Sequence, residues 1–215
     1  MSQLKLQAGQ TAVITGAASG FGLELARLGA QKGLNLVLTD VQQEALDKVV
    51  AELTEAGAKV AALRGDVSRG EDIQALADLC LERFGVPHIV INNAGVAYGG
   101  LIWEAGPRDW EWVLGVNLWG VIHGVRIFTP LMLAEARKNP AYQGHIVNVA
   151  SMAGMLNSPN LGVYNVSKHA VVSLSETLYQ DLALVTEQVH ASVLCPYFVA
   201  TGIHQSHRNR PADSN

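Results

Sequence analysis

Cysteine is nearly absent: Cys80 and Cys195 are the only two in 215 residues, which excludes a disulfide framework and suits a reducing compartment. Cys80 lies within a helical pattern and Cys195 ends an apolar run, so both are read as buried thiols. The apolar runs are strand-length, short of the ~20 residues that cross a bilayer. Met1–Gln7 carries no apolar stretch followed by small residues of the kind a secretory leader needs. A cytoplasmic protein without a membrane partner is the expectation. No block of like charge occurs either. The 15 basic and 19 acidic residues are scattered, with a net charge of −4, which argues against nucleic acid or an anionic surface as the main ligand. His204 and His207 stand three apart with no carboxylate or cysteine beside them, so no metal centre is expected. The common G-x-G-x-x-G fingerprint is missing as well.

What is present is a hydrophobic share of 49%, enough for a sizeable core. Short β-branched runs recur at 11–15, 34–39, 59–63, 88–92, 145–149 and 189–194. Between them, stretches 20–32, 42–56, 71–84, 109–138 and 163–187 show apolar residues at three- and four-residue spacing. Such alternation predicts an α/β fold: a doubly wound parallel sheet of Rossmann type, with helices on both faces. Residues 1–203 read as one domain of this type. Residues 204–215, polar and without periodicity, read as a mobile tail.

A glycine turn, Thr15 to Gly22, links the first strand to the first helix. Gly16, Gly20 and Gly22 are spaced G-x-x-x-G-x-G; glycines there let the backbone approach a pyrophosphate while helix amides face its charge. The same spacing also suits an ordinary tight turn. Asp40 ends the second strand, 18 residues after Gly22 (40 − 22), near the ~20 expected of an acid on the adenosine ribose. It could equally cap the helix that begins near Gln42. A carboxylate there repels a 2′-phosphate, which favours NAD and leaves NADP open. Farther on, Tyr164 and Lys168 lie four apart on one helix face. A cation beside a phenol lowers its pKa from ~10, so Tyr164 is expected to act as a general acid/base, with Ser151 upstream. Taken singly, Ser151 could cap a turn and Tyr164 could be a buried aromatic. His88, His145 and His190 each open a strand, at the sheet edge away from the crevice, and read as structural.

In these motifs the chain resembles the short-chain dehydrogenase/reductase family, the single-domain branch with a Tyr-x-x-x-Lys site, over its length to about Ile203. The resemblance implies a catalytic set of Asn117, Ser151, Tyr164 and Lys168. Ser151 would hold the substrate oxygen, Tyr164 exchange its proton, Lys168 lower the phenol pKa and bind the nicotinamide ribose, and Asn117 help hold a water. Cofactor contacts are implied for Gly16, Ser19, Gly20, Phe21, Gly22 and Asp40, then for Asp66 and Val67, for Asn93, Ala94 and Gly95, for Tyr164 and Lys168, and for Pro196, Val199 and Thr201. Asn92 is given a structural role. Tyr197 stands where the family commonly has glycine, and neither the family's substrate-covering segment nor its last strand is recognisable after Ile203. The long helices 109–138 and 163–187 resemble those through which family members form dimers or tetramers.

Val96, Tyr98, Trp103, Met152, Met155 and Leu156 are candidate pocket residues, apolar or aromatic and without a cation among them. They suit an apolar ketone or secondary alcohol. The leading expectation is thus an NAD(P)-dependent alcohol dehydrogenase or carbonyl reductase. Its rival is a catalytically idle dinucleotide-binding sensor or assembly protein; an epimerase or dehydratase on the same fold ranks third.

Overall fold

The computed structural model describes residues 6–199 and 201–210. Six parallel strands are joined through helices: β1 (Thr11–Thr15), α1 (Gly20–Gln31), β2 (Asn35–Asp40), α2 (Gln43–Glu55), β3 (Val60–Arg64), α3 (Gly70–Phe84), β4 (Ile89–Asn92), α4 (Pro107–Leu114), α5 (Gly120–Lys138), β5 (Gly144–Val149), α6 (Gly162–Val185) and β6 (Val189–Leu194). The spatial order is β3-β2-β1-β4-β5-β6. Chain order reverses between β1 and β4, which opens a crevice at the carboxyl ends of those two strands.

Strand alternation sends successive side chains to opposite faces, and both faces are covered. Val13, Val37, Val90 and Ile146 pack with Leu76, Cys80, Phe128 and Met132 of α3 and α5. Ala12, Ile14, Leu36, Leu38 and Ile91 pack on the other side with Ala26, Leu46, Val49 and Leu53 of α1 and α2. All five residues of β1 are buried, which is why the central strands read as continuous apolar runs rather than alternating ones.

Three expectations need correcting. The stretch 109–138 is not one regular helix: α4 and α5 are joined by a π-helical turn, Gly115–Trp119, of the kind that inserts one extra residue and re-aims a side chain. The whole run Pro107–Lys138 is also long and apolar enough to span a bilayer by length and composition, although no apolar run of that size was expected. Here Val121, Ile127, Phe128 and Met132 are buried in the protein interior. Finally, residues 204–209 are not a structureless tail. They belong to a 3-10 segment, Gly202–Asn209, in which Ser206 is buried; Ala200 and residues 211–215 lie outside the described residues. His88, His145 and His190 sit at the opposite, amino-terminal edge, where His88 Nδ1 accepts from the Thr11 amide at 3.3 Å and His145 meets Ser192 Oγ at 2.7 Å.

Candidate active site

A cleft of about 1570 Å³ runs along the carboxyl ends of the strands. The glycine turn forms its floor at β1. Gly16 and Gly20 both have left-handed backbone, φ 65° and 56°, a region that side chains enter at a cost. Gly22 is packed beneath the turn, where a Cβ would stand 2.0 Å from Gly16 O. Ser19, at the N-cap of α1, makes no side-chain cap, and the first turn holds no acid. The opening amides of α1 therefore remain available to an anion in the cleft, as a dinucleotide diphosphate requires.

Thr15 fastens this turn to the end of β4. Its hydroxyl accepts from the Asn93 amide at 3.0 Å and the Ala94 amide at 3.1 Å, and Asn93 Nδ2 donates back to Thr15 O and Gly16 O at 2.9 and 3.2 Å. At the end of β2, Asp40 accepts from the amides of Ala18 and Gln42, 3.0 Å each. It thus ties the turn to the approach of α2 while lining the cleft. Asp66 accepts from the Ser68 amide and hydroxyl at 2.9 and 2.7 Å.

The other end of the cleft holds Ser151, Tyr164 and Lys168. Ser151 caps a short 3-10 turn, Met152–Gly154, by accepting from the Ala153 amide at 3.1 Å. That turn presses on α6 so closely that a Cβ on Gly154 would lie 2.7 Å from Lys168 O. Ser151 also hydrogen-bonds the Tyr164 phenol, favouring its ionised form, yet burial outweighs this and raises the phenol above its usual value. Lys168, 3% exposed, donates from Nζ to Val149 O at 3.0 Å, and burial lowers its pKa to about 8. Its Nζ stands 5.6 Å from the Tyr164 ring centre. The expected lowering of the phenol by Lys168 is therefore not found: the ammonium is directed at a carbonyl, and desolvation penalises charge on both groups.

Asn117 stands in the π-turn, buried, and its amide is fully engaged. Oδ1 accepts from the Val96 amide at 2.8 Å, while Nδ2 donates to Val96 O at 2.9 Å and to Ser167 Oγ at 3.0 Å. Ser167 Oγ donates in turn to Tyr164 O at 2.7 Å. Asn117 thus joins the segment that follows β4 to the helix that carries Tyr164 and Lys168. Its side chain does not line the cleft.

A family model for the short chain dehydrogenases matches residues 10–212. The chain belongs to this family. A crystal structure of a short chain dehydrogenase/reductase from Burkholderia phymatum in complex with NAD superposes with TM-score 0.93 at 52% identity, covering 97% of this chain and 72% of that one. A CLA biosynthesis dehydrogenase/reductase of Lactiplantibacillus plantarum is 34% identical over 199 residues, 93% of this chain and 68% of the relative. A cyclohexanol dehydrogenase of an Acinetobacter strain is 35% identical over 185 residues, 84% and 71% of the two chains. This short chain dehydrogenase is an oxidoreductase of alcohol and ketone groups.

Of the residues expected at the cofactor, Gly16, Ser19, Gly20, Phe21, Asp40, Asp66, Val67, Asn93, Ala94, Gly95, Tyr164, Lys168, Pro196, Val199 and Thr201 line the cleft of this short chain dehydrogenase, and Gly22 lies below it. The pocket candidates divide. Val96, Met152 and Leu156 line the cleft; Tyr98, Trp103 and Met155 do not, and Trp103 is 77% exposed. Trp112, Leu161, Tyr197 and Phe198 join the wall, as do the charged Arg108 and Glu111, so the wall is less uniformly apolar than expected. Cys195 is only partly buried. Sequence reasoning missed Thr15 and Ser167 as positioning residues and Arg208 as a lining one. A polar residue ending a strand whose three central side chains are apolar was the available signal for Thr15.

Proposed function

We propose that this chain moves a hydride between NAD and an apolar secondary alcohol or ketone. The observation that carries the reading is the convergence, in one cleft, of the Ser151–Tyr164–Lys168 group with the uncapped amides of α1. When bound, the nicotinamide ring supplies the hydride acceptor or donor. In oxidation, Tyr164 Oη takes the hydroxyl proton as the carbinol carbon gives up hydrogen with its electron pair; in reduction the same oxygen returns the proton to the carbonyl oxygen. Ser151 Oγ donates to that oxygen and holds it where charge develops, and the surrounding apolar wall excludes water and strengthens the contact. Lys168 holds a positive charge close to the phenol and to the ribose position, and Asn117 positions both through Ser167 and Val96.

Asp40 supports NAD, since a 2′-phosphate would meet its carboxylate in the cleft. The apolar class rests on Val96, Met152, Leu156, Leu161 and the exposed pair Tyr197 and Phe198, whose rings meet edge to face at 5.0 Å. Self-association through α5 and α6 is part of the proposal, favoured by Tyr179 and Leu184 standing 43% and 83% exposed on α6. A second reading, an idle dinucleotide-binding protein, has one observation in its favour: the Lys168 ammonium donates to the Val149 carbonyl at 3.0 Å.

Absorbance of reduced nicotinamide, followed with NADH or NADPH and a panel of apolar ketones, separates the two. Turnover with NADH that falls at least about 100-fold in Tyr164→Phe, with cofactor affinity retained, supports the dehydrogenase. Binding without turnover in the wild-type protein supports the idle form, and preference for NADPH removes the role given to Asp40.

A further inference from the structure

Arg208 has no part in the reaction described above, yet its place in the cleft is closely defined. It belongs to the 3-10 segment Gly202–Asn209, is exposed and lines the cleft. On one side its guanidinium lies against Gly202, where a Cβ would stand 3.1 Å from Nη2. The preceding Thr201 packs over Gly20, where a Cβ would lie 3.4 Å from Thr201 Cβ. On the other side, the adjacent Asn209 is hydrogen-bonded through its Oδ1 to Gln42 Nε2, two residues beyond Asp40. The segment that carries Arg208 thus touches the glycine turn at α1 through Thr201 and the stretch after β2 through Asn209, and Arg208 lines the same cleft. A dinucleotide with its phosphates at the glycine turn and its adenosine ribose at Asp40 would run its diphosphate along that path.

The segment is pinned while the side chain is not. Ser206 Oγ accepts from the Ala97 amide at 3.0 Å. Arg210 pairs with Asp109 at 2.6 Å and lies 5.6 Å from the centre of the Trp112 ring. Arg208 itself makes one long bond, 3.4 Å from Nη1 to the neutral Gln205 Oε1, and no carboxylate of the described residues pairs with it. An arginine fork whose donors are scarcely used matches phosphate oxygens in shape and charge. The first turn of α1 offers amides and no basic residue.

We propose that Arg208 clamps the cofactor diphosphate, donating to its oxygens from the side opposite the α1 amides. The proposal rests on the dinucleotide reading above and adds a residue to that site. Its test is binding rather than turnover: fluorescence titration with NADH, NADPH and calorimetry with ADP and adenosine, on wild type, Arg208→Gln and Arg208→Lys, with thermal melts confirming that these exposed-site variants are folded. Arg208→Gln should weaken NADH, NADPH and ADP alike by about tenfold and leave adenosine unchanged. Arg208→Lys should recover part of the loss, and added salt should narrow the gap between wild type and Arg208→Gln. Unchanged ADP affinity overturns the proposal. An equal loss for adenosine overturns it by making Arg208 a prop for its segment, and a larger loss for NADPH than for NADH overturns it by moving the contact to a 2′-phosphate. A wild-type protein that binds neither NADH nor ADP instead removes the cofactor reading on which it rests.

Discussion

Lys168 is enclosed almost completely, with its ammonium on the Val149 carbonyl and its pKa lowered from 10.5 to about 8 by desolvation. Between those values the unfolded chain binds a proton that the native chain has released, so stability rises with pH across that window. Below about 8 both states hold the proton, and the native state carries the whole cost of burying the charge. The fall from 10.5 to about 8 sets that cost at about 3 kcal/mol, of which about 2 kcal/mol is recovered between roughly pH 7.5 and 9.5. Urea unfolding of ligand-free wild type and Lys168→Met at those two pH values reads it. Methionine keeps much of the length and removes the titration, and every other group cancels when the two pH differences are subtracted. Wild type should gain about 2 kcal/mol more than the variant. Parallel profiles would refute the reasoning, because they would mean that burial does not hold the lysine against its charge. A steeper gain in the variant would mean that an anion, the Tyr164 phenolate first among them, already pairs with Lys168 without cofactor.

Thr15→Val keeps the shape of the side chain and removes the acceptor of two amides, so the urea midpoint should fall by the equivalent of about 2 to 4 kcal/mol, with cofactor affinity falling alongside; an unchanged midpoint would free the turn from its staple. Gly22→Ala places a methyl 2.0 Å from Gly16 O, which the turn must open to admit, and titration with NADH should show affinity lost by more than stability; retained affinity would show that the turn is not the phosphate floor.

The strand and helix order was legible because parallel strands covered on both faces leave an unmistakable pattern: short apolar runs separated by amphipathic stretches of helical length. All six strands lie within one residue of their expected limits, and β1 and β6 coincide with them. The π-turn was not legible, because periodicity over 109–138 changes little when one residue is inserted between two helices of the same face. Residues 204–210, read as part of a mobile tail, were illegible for a different reason. They are polar and lack any period, yet their partners, Ala97, Asp109 and Gln42, are distant in sequence, and composition cannot report such pairings.

At the site, the gathering of these residues along one cleft was legible and the burial around them was not. The four-residue spacing of Tyr164 and Lys168 does place them on one face, and a cation near a phenol would lower its pKa in a wet or evenly polar setting. What spacing cannot show is the depth of burial, which here taxes both charged forms at once and turns the ammonium towards Val149 O. Two opposite charges in such a place stabilise each other only if both form, and the neutral pair is the alternative. Burial therefore sets the protonation of Tyr164 and Lys168 jointly: a change that charges one of them without the other meets the desolvation cost uncompensated.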